Sequence, residues 1–280
     1  MRFCIAALLF SLLAAPAQAQ FNLDKLNINK LVDTVKNVGK ATTEISEPDE
    51  IAIGRDMAAR LLGAAHLVAD ARLQRYVNRV GRWLASQTER PDLPWQFGVL
   101  DAPQLNAFAV PGGTIFVTRG LVQRMRSESE LAGVLAHEIA HVLRKHHLKA
   151  IQKSARTGLA GEALTHALKN SRPEARDKLI GFGTEMYTRG LDKSDELEAD
   201  RLGVVIAARA GYDSYGLPSV LQTLQAMNAQ DSALALMFKT HPAPAERLSA
   251  LAEKMQPTLD AYASQPQVAE RFAAEARAAK

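Results

Sequence analysis

The stretch LAHEIAHV, residues 135–142, indicates how this chain folds and which chemistry it supports. His137 and His141 are four residues apart, so on a helix both imidazole rings lie on one face and can bind one metal ion. Glu138 is rotated by about 100° from His137 around the helix axis, so its carboxylate can approach a metal-bound water without becoming a ligand. Zinc-dependent hydrolysis requires this arrangement, with one zinc ion as the cofactor.

The residues around this stretch predict a helix over 128–145. Ser127 and Glu130 have the spacing of a capping box, and the basic pair Arg144 and Lys145 stands in the last turn. The apolar stripe of the helix recurs every three or four residues. It consists of Leu131, Leu135, Ile139 and Val142.

Two histidines cannot complete a catalytic zinc site, which usually has three protein ligands and one open position. The sequence SDELEAD, residues 194–200, begins another predicted helix. On that helix Glu196 and Asp200 lie one turn apart on one face. Glu196 as a ligand, with Asp200 orienting a ligand histidine, would satisfy both coordination and support. Spacing alone leaves Glu198 as an alternative ligand.

Cysteine usage limits the possible metal ligands. Cys4 is the only cysteine, and it lies before a short apolar run at 5–15, which ends near the small-x-small sequence AQA at 17–19. We therefore expect residues 1–19 to be a signal peptide and the mature chain to be periplasmic and free of cysteine. A lipoprotein cysteine would follow the apolar run, so no lipid anchor is expected. Any metal must then be bound by His, Asp or Glu.

The rest of the sequence predicts an α+β fold that is predominantly helical and has one small β-sheet. Strands are predicted at 95–100, 107–111 and 114–118, and Gly112-Gly113 is a two-residue hairpin signal between the last two. Further helices are predicted at 47–65, 73–86, 148–169, 173–187, 195–210, 218–228 and 245–255.

Four segments, in this order, resemble peptidase family M48, a family of zinc metallopeptidases. They are NAFAVPGGTIFVTRGLV (106–122), LAHEIAHV (135–142), ELEADRLG (196–203) and THPAPAERL (240–248). The resemblance covers roughly residues 47–254 and is greatest to the exported bacterial branch that acts in envelope protein quality control. It implies a zincin-like peptidase domain at 46–256, between an amphipathic segment at 20–45 and a helical tail at 257–280.

The resemblance also implies the roles of individual residues. Zinc would be held by His137, His141 and Glu196, which favours Glu196 over Glu198. Glu138 would be the general base, and Asp200 a supporting acid in the catalytic site.

His241 matches a family histidine near the metal. It would either stabilise the oxyanion of the reaction or occupy the open metal position and keep the enzyme latent. A loop histidine bonded to backbone groups is the alternative. His146 and His147 are interpreted as structural residues at the end of the predicted helix.

The implied activity is zinc-dependent endopeptidase action on misfolded or misassembled proteins of the cell envelope. The hairpin at 106–118 is the expected substrate-binding edge. The net charge of +4 is spread among interleaved charges, so no nucleic-acid partner is expected. Residues 21–40 form either a packed helix or a peripheral membrane contact. The competing hypotheses are a non-proteolytic binding protein that uses the same hairpin and a membrane-surface adaptor.

Overall fold

The computed structural model describes three ranges of the chain: 45–150, 190–228 and 230–276. The expected signal peptide at 1–19, nearly all of the segment 20–45, the predicted helix 173–187 and most of the predicted helix 148–169 lie outside these ranges. The described residues form an α+β fold that is predominantly helical and contains one small sheet, which confirms the predicted fold class.

In the described ranges, two complete α-helices precede a three-stranded sheet and seven complete α-helices follow it, besides a helical segment that starts at 146. The helices are α1 (Glu47–Ala64), α2 (Ala71–Ala85), α3 (Arg119–Arg124), α4 (Glu128–Leu143), α5 (Lys193–Arg209), α6 (Gly216–Gln225), α7 (Ala235–Thr240), α8 (Pro244–Asp260) and α9 (Ala269–Glu275). The strands are β1 (Gln96–Leu100), β2 (Ala107–Val110) and β3 (Thr114–Thr118). The prediction missed the short helices α3 and α7, whereas α9 lies within the helical tail predicted at 257–280.

The sheet has the strand order β1-β3-β2, so β2 is an edge strand. Strand β3 pairs in parallel with β1 and antiparallel with β2. The hairpin between β2 and β3 is confirmed, but Val110 pairs with Thr114 and the turn therefore has three residues instead of two. Pro111 has no N–H for the ladder and falls in the turn. Gly112 and Gly113 supply positive φ angles of 77° and 98°.

Side chains on the two faces of the sheet enter two separate parts of the core, as the alternation along a strand dictates. Phe108, Val110 and Phe116 pack with the apolar face of α1. Ala107, Ala109, Ile115 and Val117 face the opposite side, where they join the larger core with α2 and α4. The sheet is thus buried on both faces.

All residues of α4 are buried, and the backbone of α5 approaches it closely. A Cβ atom on Gly203 of α5 would lie 2.8 Å from the backbone nitrogen of His137 in α4. Ala199, one turn earlier on α5, is also fully buried. Small residues on α5 therefore allow the two helices to share one site.

The ends of α4 differ from the prediction in detail. Ser127 caps the helix by accepting the Glu130 N–H at 3.2 Å, but the Glu130 carboxylate accepts the Arg126 N–H instead of completing the box on Ser127. The helix ends at Leu143 because Lys145 adopts a left-handed backbone with φ 56°. A second helical segment then starts at 146.

The first turn of α4 is tied to the C-terminal part of the chain through Glu128. This buried carboxylate accepts hydrogen bonds from Tyr76 Oη at 2.9 Å, Tyr212 Oη at 2.7 Å and Arg271 Nε at 2.6 Å. Phe272 is buried beside Arg271. The described end of the chain is therefore packed on the core through α9. None of the helices in the described ranges is long and apolar enough to cross a membrane.

The close contact between α4 and α5 predicts the effect of a methyl group at Gly203. We expect Gly203→Ala to lower the free energy of unfolding by about 1–3 kcal/mol, because the backbone of α4 must move. Gly63→Ala in α1 is the matched control, since no atom lies within 4 Å of its Cβ position. Urea unfolding in excess chelator measures both. An unchanged stability of Gly203→Ala would contradict the close contact.

The Glu128 cluster predicts a pH-dependent contribution to stability. Burial alone would raise the pKa of Glu128, but hydrogen bonds from Arg271, Tyr212 and Tyr76 outweigh burial and lower this pKa. Glu128 therefore stabilises the fold fully above its unfolded pKa of about 4.3, and this contribution is lost as the pH falls towards the folded pKa. We expect Glu128→Gln to cost about 1.5–3 kcal/mol at pH 7 and less at pH 3.5.

The control for this prediction is Glu270→Gln, at an exposed position on α9. Urea unfolding of wild type and both variants at the two pH values measures the difference. An equal cost of Glu128→Gln at both pH values would contradict the role of the ionised carboxylate.

Candidate metal centre

The fold brings all six residues that were predicted for the site into one buried cluster. Helix α4 supplies His137, Glu138 and His141. Helix α5 supplies Glu196 and Asp200, and the connection between α7 and α8 supplies His241. Every one except His241 is almost completely excluded from solvent, and His241 is only slightly exposed.

Three side chains of this cluster present their ligand atoms to a common point. The Nε2 atoms of His137 and His141 lie 3.1 Å apart. Glu196 places Oε1 3.5 Å from Nε2 of His141 and Oε2 3.7 Å from Nε2 of His137. All three ligand atoms lie within 4.8 Å of one another, so these residues could hold a metal ion.

The chemistry of these groups fits a divalent cation. Oε2 of Glu196 is buried without a hydrogen-bond partner, and burial raises the pKa of this carboxyl well above its usual value. Burial also lowers the pKa values of His137 and His141, which keeps both rings in the neutral form that binds metals. Two imidazole nitrogens and one carboxylate are a ligand set found in catalytic zinc sites.

Asp200 fixes the orientation of His137. Its Oδ1 lies 2.9 Å from Nδ1 of His137, so Nδ1–H donates to the carboxylate and the lone pair of Nε2 faces Glu196. Arg247 donates to Asp200 through Nε at 2.8 Å. Although burial alone would raise the pKa of Asp200, Arg247 outweighs it and keeps this pKa well below its usual range.

Arg247 is a residue that the sequence analysis missed. It lies within THPAPAERL, in the first turn of α8, and is buried. An arginine in a first helical turn is ordinarily exposed, and no spacing rule links it to a carboxylate 47 residues earlier. The family resemblance of THPAPAERL indicated that this segment contributes to the site. Only the fold shows that Arg247 is one of its side chains that reach the cluster.

Glu138 faces the edge strand instead of the ligand triad. The backbone N–H of Ala109 in β2 donates to its carboxylate, while burial raises the pKa of Glu138 to about 8. Oxygen atoms of Glu138 still lie within 4.8 Å of ligand atoms of His137 and His241. The carboxylate thus lies between the cluster of candidate ligands and the edge strand β2.

His241 points its Nε2 into the same cluster, 3.7 Å from Oε2 of Glu196. Its Nδ1 lies 2.8 Å from Oγ1 of Thr240, so its partner is a neighbouring side chain and not a backbone group. The ring centroids of His137 and His241 are 5.7 Å apart. His241 is therefore close enough to contact a group bound by His137, His141 and Glu196.

The cleft above the cluster is narrow. It is lined by Asn106 and the start of β2, by Glu138 and His147, and by the segments 190–191 and 240–241. Its volume of about 30 Å³ has room for little more than one water molecule. Both polar atoms of the Asn106 side chain are buried in this region without a partner.

Glu198, the alternative ligand, does not join the triad. Its carboxylate lies 3.0 Å from Nε of Arg144 and 3.3 Å from Nε2 of His146. His146 in turn contacts His141, with the Nδ1 atoms of the two rings 3.0 Å apart. His146 was predicted to be a structural residue at the helix end, but the left-handed backbone at Lys145 directs it back towards His141.

Comparison with known proteins gives relatives over most of this region. Residues 71–255 match the sequence model of peptidase family M48. The chain is 32% identical over 227 residues to the beta-barrel assembly-enhancing protease of Yersinia pestis, which covers 78% of this chain and 46% of that protein. The Escherichia coli K12 protein of the same name is 31% identical over 224 residues, with the same coverage of 78% and 46%.

A more distant relative is the mitochondrial metalloendopeptidase OMA1 of Schizosaccharomyces pombe, 29% identical over 189 residues, or 64% of this chain and 52% of that protein. The chain therefore spans about half the length of the curated relatives that it matches. The resemblance drawn from the four sequence segments is confirmed, and with it the zincin-like character of the fold. This chain belongs to peptidase family M48.

Proposed function

We propose that this protein is a zinc-dependent endopeptidase that cleaves proteins of the bacterial cell envelope. The observation that carries the proposal is the convergence of His137, His141 and Glu196, with a buried Glu138 beside them. Membership of a metallopeptidase family supports the activity. The bacterial relatives are named beta-barrel assembly-enhancing proteases, which supports an envelope location and substrates among envelope proteins.

His137, His141 and Glu196 would hold one zinc ion. When bound, zinc supplies a Lewis acid that polarises the peptide carbonyl and makes water a stronger acid. Asp200 keeps His137 in the tautomer that offers Nε2, and Arg247 keeps Asp200 ionised. Because Arg247 already balances the charge of Asp200, the Glu196 carboxylate is the negative charge that remains for the cation.

Glu138 would act as the general base. A positive charge nearby favours the ionised form of its carboxyl, in opposition to burial. The Ala109 N–H orients one side of the carboxylate and leaves its other lone pairs for the attacking water. Glu138 would take a proton from that water and pass it to the leaving amine.

The substrate would lie along β2. This strand is at the edge of the sheet, and an extended peptide beside it gains backbone hydrogen bonds with little dependence on its sequence. The side-chain amide of Asn106 has an unpartnered oxygen and an unpartnered NH2 group, which could pair with the N–H and C=O of a peptide. Burial of these unpaired atoms is costly, and a bound peptide would satisfy them.

The narrow cleft favours a latent resting state over a permanently open enzyme. Among the described residues the cleft has a volume of about 30 Å³, which is less than a peptide needs, and His241 directs Nε2 at the centre from one wall of this cleft. We infer that His241 restrains the site until the segment 240–246 moves. The binding-protein hypothesis shares this closed cleft but leaves the buried triad and Glu138 without a role.

The latent state predicts that His241→Ala increases hydrolysis of casein relative to wild type, because the side chain that restrains the centre is lost. Turnover and zinc content are measured together in both proteins. Lower activity in the variant, with zinc retained, would contradict latency and assign His241 to the oxyanion. If wild type and His241→Ala were both inactive and free of metal, the hypothesis of a non-proteolytic binding protein would be favoured instead.

The role of Glu138 predicts that Glu138→Gln loses roughly 10²–10⁴-fold in casein hydrolysis, the usual contribution of a general base. The variant should retain zinc, because Glu138 is not one of the three ligands. The assay is made in both the wild-type and the His241→Ala backgrounds, so that latency does not hide the loss. Full activity of Glu138→Gln in either background would exclude Glu138 as the base.

A further inference from the structure

We propose that His146 is a positioning residue for the metal ligand His141, within a hydrogen-bonded relay that runs from Glu198 through His146 to the metal centre. The proposal rests on the proposed function, since it concerns how the same zinc site is supported. His146 lies outside both the HEIAH motif at 137–141 and the ELEAD segment at 196–200, which carries the proposed third ligand.

The contacts of His146 form a continuous chain of polar groups. The side chain is fully buried, with 0% exposure. Its Nδ1 lies 3.0 Å from Nδ1 of His141, and its Nε2 lies 3.3 Å from Oε2 of Glu198. Asp195 approaches the same Nε2 at 3.8 Å. Both ring nitrogens of His146 are thus directed at specific partners.

The hydrogen positions in this chain follow from what each group can do. An ionised carboxylate only accepts, so Nε2 of His146 carries the hydrogen that faces Glu198. Nδ1 of His146 is then an acceptor and takes the hydrogen of His141 Nδ1. His141 is left with a lone pair on Nε2, the atom that lies 3.1 Å from Nε2 of His137. This is the tautomer that a metal ligand needs.

The two ligand histidines are therefore supported in a similar way. His137 is backed by Asp200, whose partner is Arg247. On the other side, His141 is backed by His146 and Glu198, whose partner is Arg144. Each support ends in a carboxylate held by an arginine, and the second one includes an additional imidazole.

The backbone is distorted at the place where this relay requires it. On an uninterrupted helix a residue five positions after His141 would point about 140° away from it. The chain avoids this because α4 stops at Leu143 and Lys145 adopts φ 56°. The left-handed region is unfavourable for a non-glycine residue, and here it accompanies the burial of His146 beside His141.

The alternative is a second metal site, because His146, Asp195 and Glu198 also place ligand atoms within 4.8 Å of one another. Two contacts weigh against it. Nδ1 of His146 already binds His141, and the other oxygen of Glu198 forms an ion pair with Arg144. A cation placed here would face the charge of that arginine.

The test measures zinc affinity of the full chain by competition with a chelator, for wild type, His146→Leu and His146→Asn. We expect His146→Leu to weaken zinc binding roughly 10–100-fold, the usual effect of removing a residue that orients a ligand. His146→Asn should recover part of this loss, because its Oδ1 can accept the His141 N–H. His66→Leu, at an exposed histidine remote from the site, is the control.

A double-mutant cycle tests whether Glu198 influences zinc binding through His146. Glu198→Ala should weaken zinc binding in the wild-type background and have no further effect in His146→Leu, because its influence passes through His146. Thermal unfolding of all variants in excess chelator separates a loss of metal affinity from a loss of fold.

The outcomes distinguish this proposal from the proposed function. Wild-type affinity in His146→Leu, or additive effects in the cycle, would overturn the relay while the zinc enzyme stands. Two zinc ions per wild-type chain, of which His146→Leu loses one, would also overturn it and establish the second site. A wild-type protein that binds no zinc would refute the proposed function itself.

Discussion

The close approach of α4 and α5 at Gly203 is the constraint on which the rest of the site depends. With no side chain at Gly203, the two backbones meet beside His137, and the face of α5 that carries Glu196 and Asp200 lies against the histidines of α4. A residue of ordinary size at this point would separate the helices by more than the tolerance of a metal site, which is about 0.5 Å. The packing of α4 against α5 therefore determines whether the proposed metal ligands can meet.

Charge compensation explains why the cluster suits a cation. Several kcal/mol are needed to bury each ionised group that has no partner. Asp200 on α5 is balanced by Arg247, and Glu128 at the start of α4 is balanced by Arg271. Glu196 has no cationic side chain against it and keeps an unpaired oxygen. Among the described residues, Glu196 is therefore a buried acid without a compensating cation, located where the two histidine nitrogens meet.

Local spacing was sufficient to predict part of this arrangement. Helical spacing predicted the helix around His137 and the shared face of Glu196 and Asp200. The glycines of the turn predicted the β2–β3 hairpin. The choice of Glu196 over Glu198 came from family resemblance, and the geometry is consistent with it because Glu198 turns towards Arg144.

The contacts between distant segments could not be predicted from the sequence. Arg247 reaches Asp200 across 47 residues, and Glu198 meets His146 across 52. The parallel pairing of β1 with β3 and the early end of α4 also depend on tertiary packing, which can hold Lys145 in a conformation that its own preference disfavours. These long-range contacts are the ones that orient the proposed ligands His137 and His141.

The most direct test of the central claim is anomalous diffraction at the zinc edge from crystals of the full chain grown with zinc. The account predicts one anomalous peak per chain, bound by Nε2 of His137, Nε2 of His141 and the carboxylate of Glu196. A peak bound by Glu198 instead of Glu196, or no peak among these three side chains, would contradict it.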